Sequence, residues 1–194
     1  MAETPSTMLA LGAPLPPARL TDVITGRSID AAELALGKKG LLVAFICNHC
    51  PYVVHIRLEL VRVAHAALDA GFAVLAVNSN DEESHPEDGP QAMRQLAARE
   101  QWRFPFVFDA TQEVARSFRA ACTPDLYLFD AQLKLAYRGQ FDDSRPSKPT
   151  KVTGASLTAA LDAVGAGRAP STDQKPSLGC NIKWKPGREP SYGG

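Results

Sequence analysis

The run Leu41-Leu-Val-Ala-Phe-Ile46 constrains the fold more than any other part of this sequence. It is six residues of unbroken apolar chain between the turn Gly37-Lys-Lys-Gly40 and the polar stretch Cys47-Asn-His-Cys50. A short apolar run without alternation reads as a strand covered on both faces. Such a strand needs a layer of structure above and below it. One layer follows at once: Val53, Ile56, Leu60, Ala64, Ala67 and Leu68 recur at helical spacing, and Gly71 stands where a helix C-terminus wants a left-handed residue.

The rest of the chain repeats the alternation. Phe72–Asn78 is a second buried strand, 79–90 a polar loop, and Gln91–Gln101 a helix with Met93, Leu96 and Ala97 inward. Phe104–Asp109 is a third strand, with Pro105 near its start. Thr111 is placed to cap a helix running to Arg119, with Val114, Ala115 and Phe118 inward. Leu126–Phe129 and Leu133–Phe141 form a hairpin around residues 130–132, and Ser156–Val164 is a last helix ended by Gly165 and Gly167. Alternating strands and helices imply right-handed crossovers with parallel pairing, and the hairpin adds antiparallel strands. The expected fold is therefore α/β, a three-layer α/β/α sandwich around a mixed central sheet. The domain spans 20–167 and includes a small hairpin around Gly26 and a helical turn at 30–36. Residues 1–19 form an irregular N-terminal arm. Residues 168–194, rich in Pro, Ser and Gly, form a tail expected to lack regular structure for most of its length.

Composition narrows the function. Lys+Arg and Asp+Glu both number 21, so the net charge is zero, which argues against a nucleic-acid partner. No stretch approaches the ~18 apolar residues of a membrane span, and the first residues lack the pattern of a secretory signal. A cytoplasmic setting is expected, without membrane association. Four cysteines in 194 residues are too few for a disulfide scaffold. Two of them lie close together, which points to chemistry instead.

Cys47 and Cys50 stand at a strand-to-helix junction. The partial positive charge and free N–H groups of a helix N-terminus favour a thiolate. The Cys-x-x-Cys spacing lets one thiol attack a mixed disulfide formed on the other. Cys47 is the expected exposed nucleophile and Cys50 the resolving thiol. His49 either stabilises the Cys47 thiolate electrostatically or is a solvated loop residue. Asn48 is a candidate cap, and Pro51 fits the first helical turn. No cofactor is required for this chemistry, and the partner would be a protein or small-molecule disulfide or thiol. The pair is expected to be more oxidising than that of thioredoxin, above about −270 mV.

The segment Phe45-Ile-Cys-Asn-His-Cys-Pro-Tyr-Val53 resembles the active site of thioredoxin-fold proteins grouped with the thiol-specific antioxidant and redoxin families. Val77-Asn-Ser-Asn-Asp81, Tyr137–Pro146 and Ser177–Lys185 extend the resemblance from about Pro14 to Trp184. It implies a thioredoxin-like sandwich and thiol–disulfide chemistry. It also implies that Thr123-Pro124 is a cis peptide facing the cysteine pair, where Pro124 positions the substrate. Departures are visible. Ile46 and Asn48-His49 replace thioredoxin's Trp and Gly-Pro, and no acid lies in 41–46. The peroxiredoxin pattern of Pro and Thr/Ser before the reactive cysteine is not met at Cys47, preceded by Gly40 and Ala44, nor at Cys50, preceded by Val43 and Cys47.

Cys122, just before Thr123-Pro124, is either a neighbour of the redox pair or a buried small apolar residue. Cys180, in the tail, is a resolving thiol, a partner for Cys122, or an exposed inert thiol. Four thiols and His49 also allow a copper or zinc module, although 122 and 180 lack paired spacing; Cys50-Pro51 echoes thioredoxin-fold copper chaperones only weakly. Peroxide reduction is a third alternative. Asp142, Asp143 and Arg145 read as a solvated turn, and Asp125 as a strand start or a group near the site. His55, His65 and His85 read as surface residues.

Overall fold

The computed structural model describes residues 3–192. Its elements are β1 (Glu3–Pro5), β2 (Arg19–Thr21), β3 (Ser28–Asp30), α1 (Ala31–Leu34), β4 (Gly40–Phe45), α2 (Pro51–Asp69), β5 (Ala73–Asn78), α3 (Pro90–Arg99), β6 (Phe106–Phe108), α4 (Glu113–Ser117), β7 (Cys122–Thr123), β8 (Asp125–Asp130), β9 (Leu135–Gly139), α5 (Ala155–Gly165) and β10 (Leu178–Asn181). The central sheet runs β6-β5-β4-β8-β9. β4 is parallel to β5 and antiparallel to β8, β5 is parallel to β6, and β8 and β9 form the hairpin. This is the mixed three-layer α/β/α sandwich expected.

β4 is buried at all six positions because both of its faces are covered. Leu42, Ala44 and Ile46 pack with α2, α3 and α5 residues such as Ile56, Leu60, Met93 and Leu157. Leu41, Val43 and Phe45 face the other way, into a layer with Ala31, Ala115, Phe118 and Tyr127. Phe45, Phe118 and Tyr127 meet edge to face at centroid distances of 5.3 to 5.8 Å, a favoured aromatic arrangement. Among the described residues no helix is long and apolar enough to cross a membrane.

Three expectations need correction. The helix after Thr111 is shorter, Glu113–Ser117, because Gln112 is left-handed at φ 62° and breaks the first turn. Asp109 supplies the local bonds instead, accepting from the Thr111 hydroxyl and the Ala115 N–H. The turn is solvated at Asp143 but not at Asp142, whose carboxylate is buried and accepts N–H bonds from Ser144, Thr153 and Gly154, tying the strand exit to the start of α5.

The third concerns the two ends, which are irregular over most of their described length, as expected, but not throughout. Both the arm and the tail contribute strands, and β10 lies between β1 and β7 in a separate three-stranded antiparallel sheet. Cys180 pairs with Glu3 on one side and Thr123 on the other. Gly179 makes this approach possible. A Cβ at this position would lie 2.0 Å from the Thr123 carbonyl oxygen, so a larger residue would push β10 off β7. The backbone groups of Leu178–Asn181 are thus satisfied by pairing on both sides. Residues 1–2 and 193–194 of the arm and tail lie outside the described residues.

Candidate active site

The end of β4 delivers Cys47, and Cys50 is the N-cap of α2, with Pro51 as its first residue. All four cysteines are free thiols, and all are buried. Cys47 is 1% exposed and Cys50 0%, so the expectation of an exposed Cys47 does not hold: β7, β10 and the loop after β5 close over the pair. The peptide Thr123–Pro124 is cis, as the resemblance implied. Thr123 touches both thiols. Its hydroxyl lies 3.4 Å from Cys47 Sγ, and its carbonyl accepts from Cys50 Sγ at 3.1 Å.

The two thiols differ in proton affinity. When protonated, Cys50 gives its hydrogen to the Thr123 carbonyl. When ionised, it accepts from the Cys47 thiol above all, then from the Cys180 thiol and from the N–H groups of Val53 and Cys180. These donors outweigh burial and the one bond lost, and draw Cys50 down to about 4. Cys47 moves the opposite way, well above the ordinary thiol range. Its donation to Cys50 is the main cause, followed by burial and the nearby Asp88 charge, while the Thr123 hydroxyl opposes the shift. The negative charge of the reduced pair therefore rests on Cys50 rather than on Cys47.

Asn48 does not cap α2. Its side-chain amide instead donates to the Glu87 carbonyl, across the loop after β5. That loop carries the residue missed in the sequence, Asp88, which is fully buried. One carboxylate oxygen accepts from the Asn48 N–H at 2.7 Å and the His49 N–H at 3.3 Å. The other bonds His49 Nδ1 at 2.6 Å and Asn80 Nδ2 at 2.7 Å. The His49 ring is thereby fixed, and it stacks on His85 at 4.9 Å. Cys47 Sγ, a His49 ring nitrogen and an Asp88 oxygen lie within 4.8 Å of one another. Asp88 gave little signal in the sequence because a polar loop acid is ordinary; only its place opposite the Cys-x-x-Cys loop distinguishes it.

The family follows from a comparison of sequences: residues 10–156 match the redoxin pattern. The chain belongs to the redoxin family. An uncharacterized conserved protein from Geobacillus kaustophilus is 48% identical to this redoxin, with a TM-score of 0.93 over 96% of this chain and 98% of that one. A hypothetical protein from Sinorhizobium meliloti 1021 is 43% identical, with a TM-score of 0.91 over 95% and 100%. A thiol:disulfide interchange protein of the thioredoxin family from Chlorobium tepidum TLS is 16% identical, with a TM-score of 0.61 over 81% and 99%, and shares the fold. No curated protein matches the chain.

The remaining candidates divide. Cys180 is neither exposed nor in irregular chain. It is 2% exposed on β10, paired in register with Thr123, whose carbonyl accepts from Cys50. Cys122 is fully buried on β7, its Sγ 3.6 Å from the Pro124 carbonyl it donates to. Burial first, then Asp125, pushes its thiol well up. Asp125 begins β8 and accepts from the Tyr127 hydroxyl at 2.9 Å; complete burial raises its carboxyl to about 7. His55, on α2, meets the Ser144 hydroxyl at 3.2 Å, beside a cleft that also borders Tyr52, Pro124 and Arg145.

Proposed function

We propose that this redoxin is a thiol–disulfide oxidoreductase that cycles Cys47 and Cys50 between dithiol and disulfide. The observation that carries this reading is the asymmetric thiol pair at the N-terminus of α2, bracketed by the two polar groups of Thr123. Cys47, beside the half-buried Asn48-His49 loop, meets the substrate disulfide. Its proton passes to the Cys50 thiolate, and Cys47 Sγ attacks one substrate sulfur. The other substrate sulfur leaves as a thiolate. Cys50 then returns its proton to that thiolate and attacks Cys47 Sγ, releasing the second substrate sulfur as a thiolate and leaving the Cys47–Cys50 disulfide. His49, fixed by Asp88, stands next to the sulfur on which charge develops. Pro124, in the cis peptide that follows Thr123, is the residue proposed to position the substrate.

Stabilising the Cys50 thiolate stabilises the reduced form, which supports a potential above about −270 mV. In an assay of protein disulfide reduction with dithiothreitol as electron source, Cys47→Ser and Cys50→Ser should each lower the rate to background. Full activity in Cys47→Ser would sink the assignment.

A second reading, metal ligation, draws on the three donor atoms of Cys47, His49 and Asp88 within 4.8 Å. It is the less favoured because both Asp88 oxygens already accept two bonds each. Stoichiometric copper or zinc in protein purified without chelators would favour it.

A further inference from the structure

Three buried thiols are gathered around one residue, Thr123. Thr123 touches Cys47 through its hydroxyl and Cys50 through its carbonyl, and it is paired in register with Cys180. Cys50 donates to the Thr123 carbonyl, and Cys180 lies opposite Thr123 in the β7–β10 register, so Cys50 and Cys180 flank the same residue within one buried cluster. Gly179 lets β10 come this close. The approach of Cys180 is a property of the tail strand, separate from the Cys-x-x-Cys motif.

We propose that Cys180 is a third redox thiol, which takes over Cys50 from Cys47 by disulfide exchange. The proposal rests on the Cys47–Cys50 chemistry given above. Starting from the Cys47–Cys50 disulfide, Cys180 loses its thiol proton and its sulfur attacks Cys50 Sγ. The Cys50–Cys180 bond forms, the Cys47–Cys50 bond breaks, and Cys47 leaves as a thiolate that takes up a proton. No net oxidation occurs, and no other reactant is needed. Cys47 is freed for a second substrate while the oxidising equivalent is held between α2 and β10.

The electrostatics favour exchange after oxidation rather than before it. In the reduced site Cys180 is held at about 12, by burial first and then by its bond to Cys50 and the Cys50 charge. Forming the Cys47–Cys50 disulfide removes that charge. Burial remains, but the opposing Lys183 cation is then no longer offset by a neighbouring thiolate. Cys180 becomes easier to ionise at the stage when a nucleophile is required.

The test is disulfide mapping after oxidation with oxidised glutathione, an acid quench and alkylation in denaturant. Trypsin places Cys47 and Cys50 on residues 40–57, Cys180 on 169–183 and Cys122 on 120–134. The wild-type chain should give the 40–57 peptide with an internal disulfide together with a cross-linked 40–57/169–183 species. Cys47→Ser should give the cross-linked species alone, with Cys122 the one alkylated thiol. An internal 40–57 disulfide with Cys180 fully alkylated in the wild type, and no cross-link in Cys47→Ser, would overturn the relay and leave the Cys47–Cys50 reading intact. Absence of both species would remove both. If Cys47→Ser does not fold, the wild-type cross-link decides alone.

Discussion

The redox pair is flanked by two regions of opposite character. On the Cys47 side the loop after β5 brings a buried carboxylate, Asn80 and His85, which stacks on His49 of the redox loop. On the Cys50 side β7 and β10 bring thiols and backbone N–H and carbonyl groups, without a formal charge in the immediate contact shell. Negative charge beside Cys47 repels a thiolate there, while neutral donors around Cys50 attract one. Two identical side chains three residues apart acquire opposite proton affinities, first through the bond that Cys47 donates to Cys50 and then through these surroundings. In this redoxin the groups packed against the pair reinforce a polarity that the two thiols set between themselves.

The sharpest way to break this contrast is to remove the Cys50 sulfur. In the wild type, one thiol per chain should ionise near pH 4, read from the ultraviolet absorbance of the thiolate. The thiolate is present above that pH and is lost as pH falls through it. In Cys50→Ser that low transition should vanish, and no thiolate should form until pH exceeds the ordinary thiol range of about 8.5. Persistence of the low transition would place the charge elsewhere.

The tail side is tested by Gly179→Ala, which forces a methyl group against the Thr123 carbonyl. We expect a loss of about 1–3 kcal/mol in urea unfolding, with faster alkylation of Cys180. A variant as stable as the wild type would mean that β10 can shift without cost.

The loop side is tested by Asp88→Asn, which keeps most of the volume and removes the charge. The smallest effect is expected here, because Cys50 and burial act on Cys47 more strongly than Asp88 does. Cys47 should ionise at lower pH than in the wild type, and its alkylation at neutral pH should rise several-fold. An unchanged or upward shift would show that fixing His49 matters more than the carboxylate charge.

The central sheet was legible because each strand carries its own signal. Unbroken apolar runs gave β4 and β5, and the helical spacing from Val53 to Ala67 gave α2 together with its end at Gly71. Cys47, Cys50 and Thr123-Pro124 were equally visible, since spacing and junction identify them. What escaped depends on contacts between distant segments. Asp88 lies 39 residues from His49, and its role exists only once the loop folds over Cys-x-x-Cys. Prolines and serines dominate the tail, and the one strand in its described part, Leu178–Asn181, is too short to carry a periodic signal of its own. The exposed nucleophile was a further inference from local sequence, and burial by three non-local segments overturned it.

The three-stranded sheet joins the two ends of the chain beside the catalytic pair. Among the described strands β1 pairs with β10 alone, and β10 is its link to β7. Peeling β10 away therefore strips β1 of its partner and uncovers Thr123 in the same event. In hydrogen-exchange terms the amides of β1, β10 and β7 should open as one cooperative unit. A protease that nicks the chain near residue 178 would loosen its beginning as well as its end, and would uncover the redox pair before the central sheet gives way.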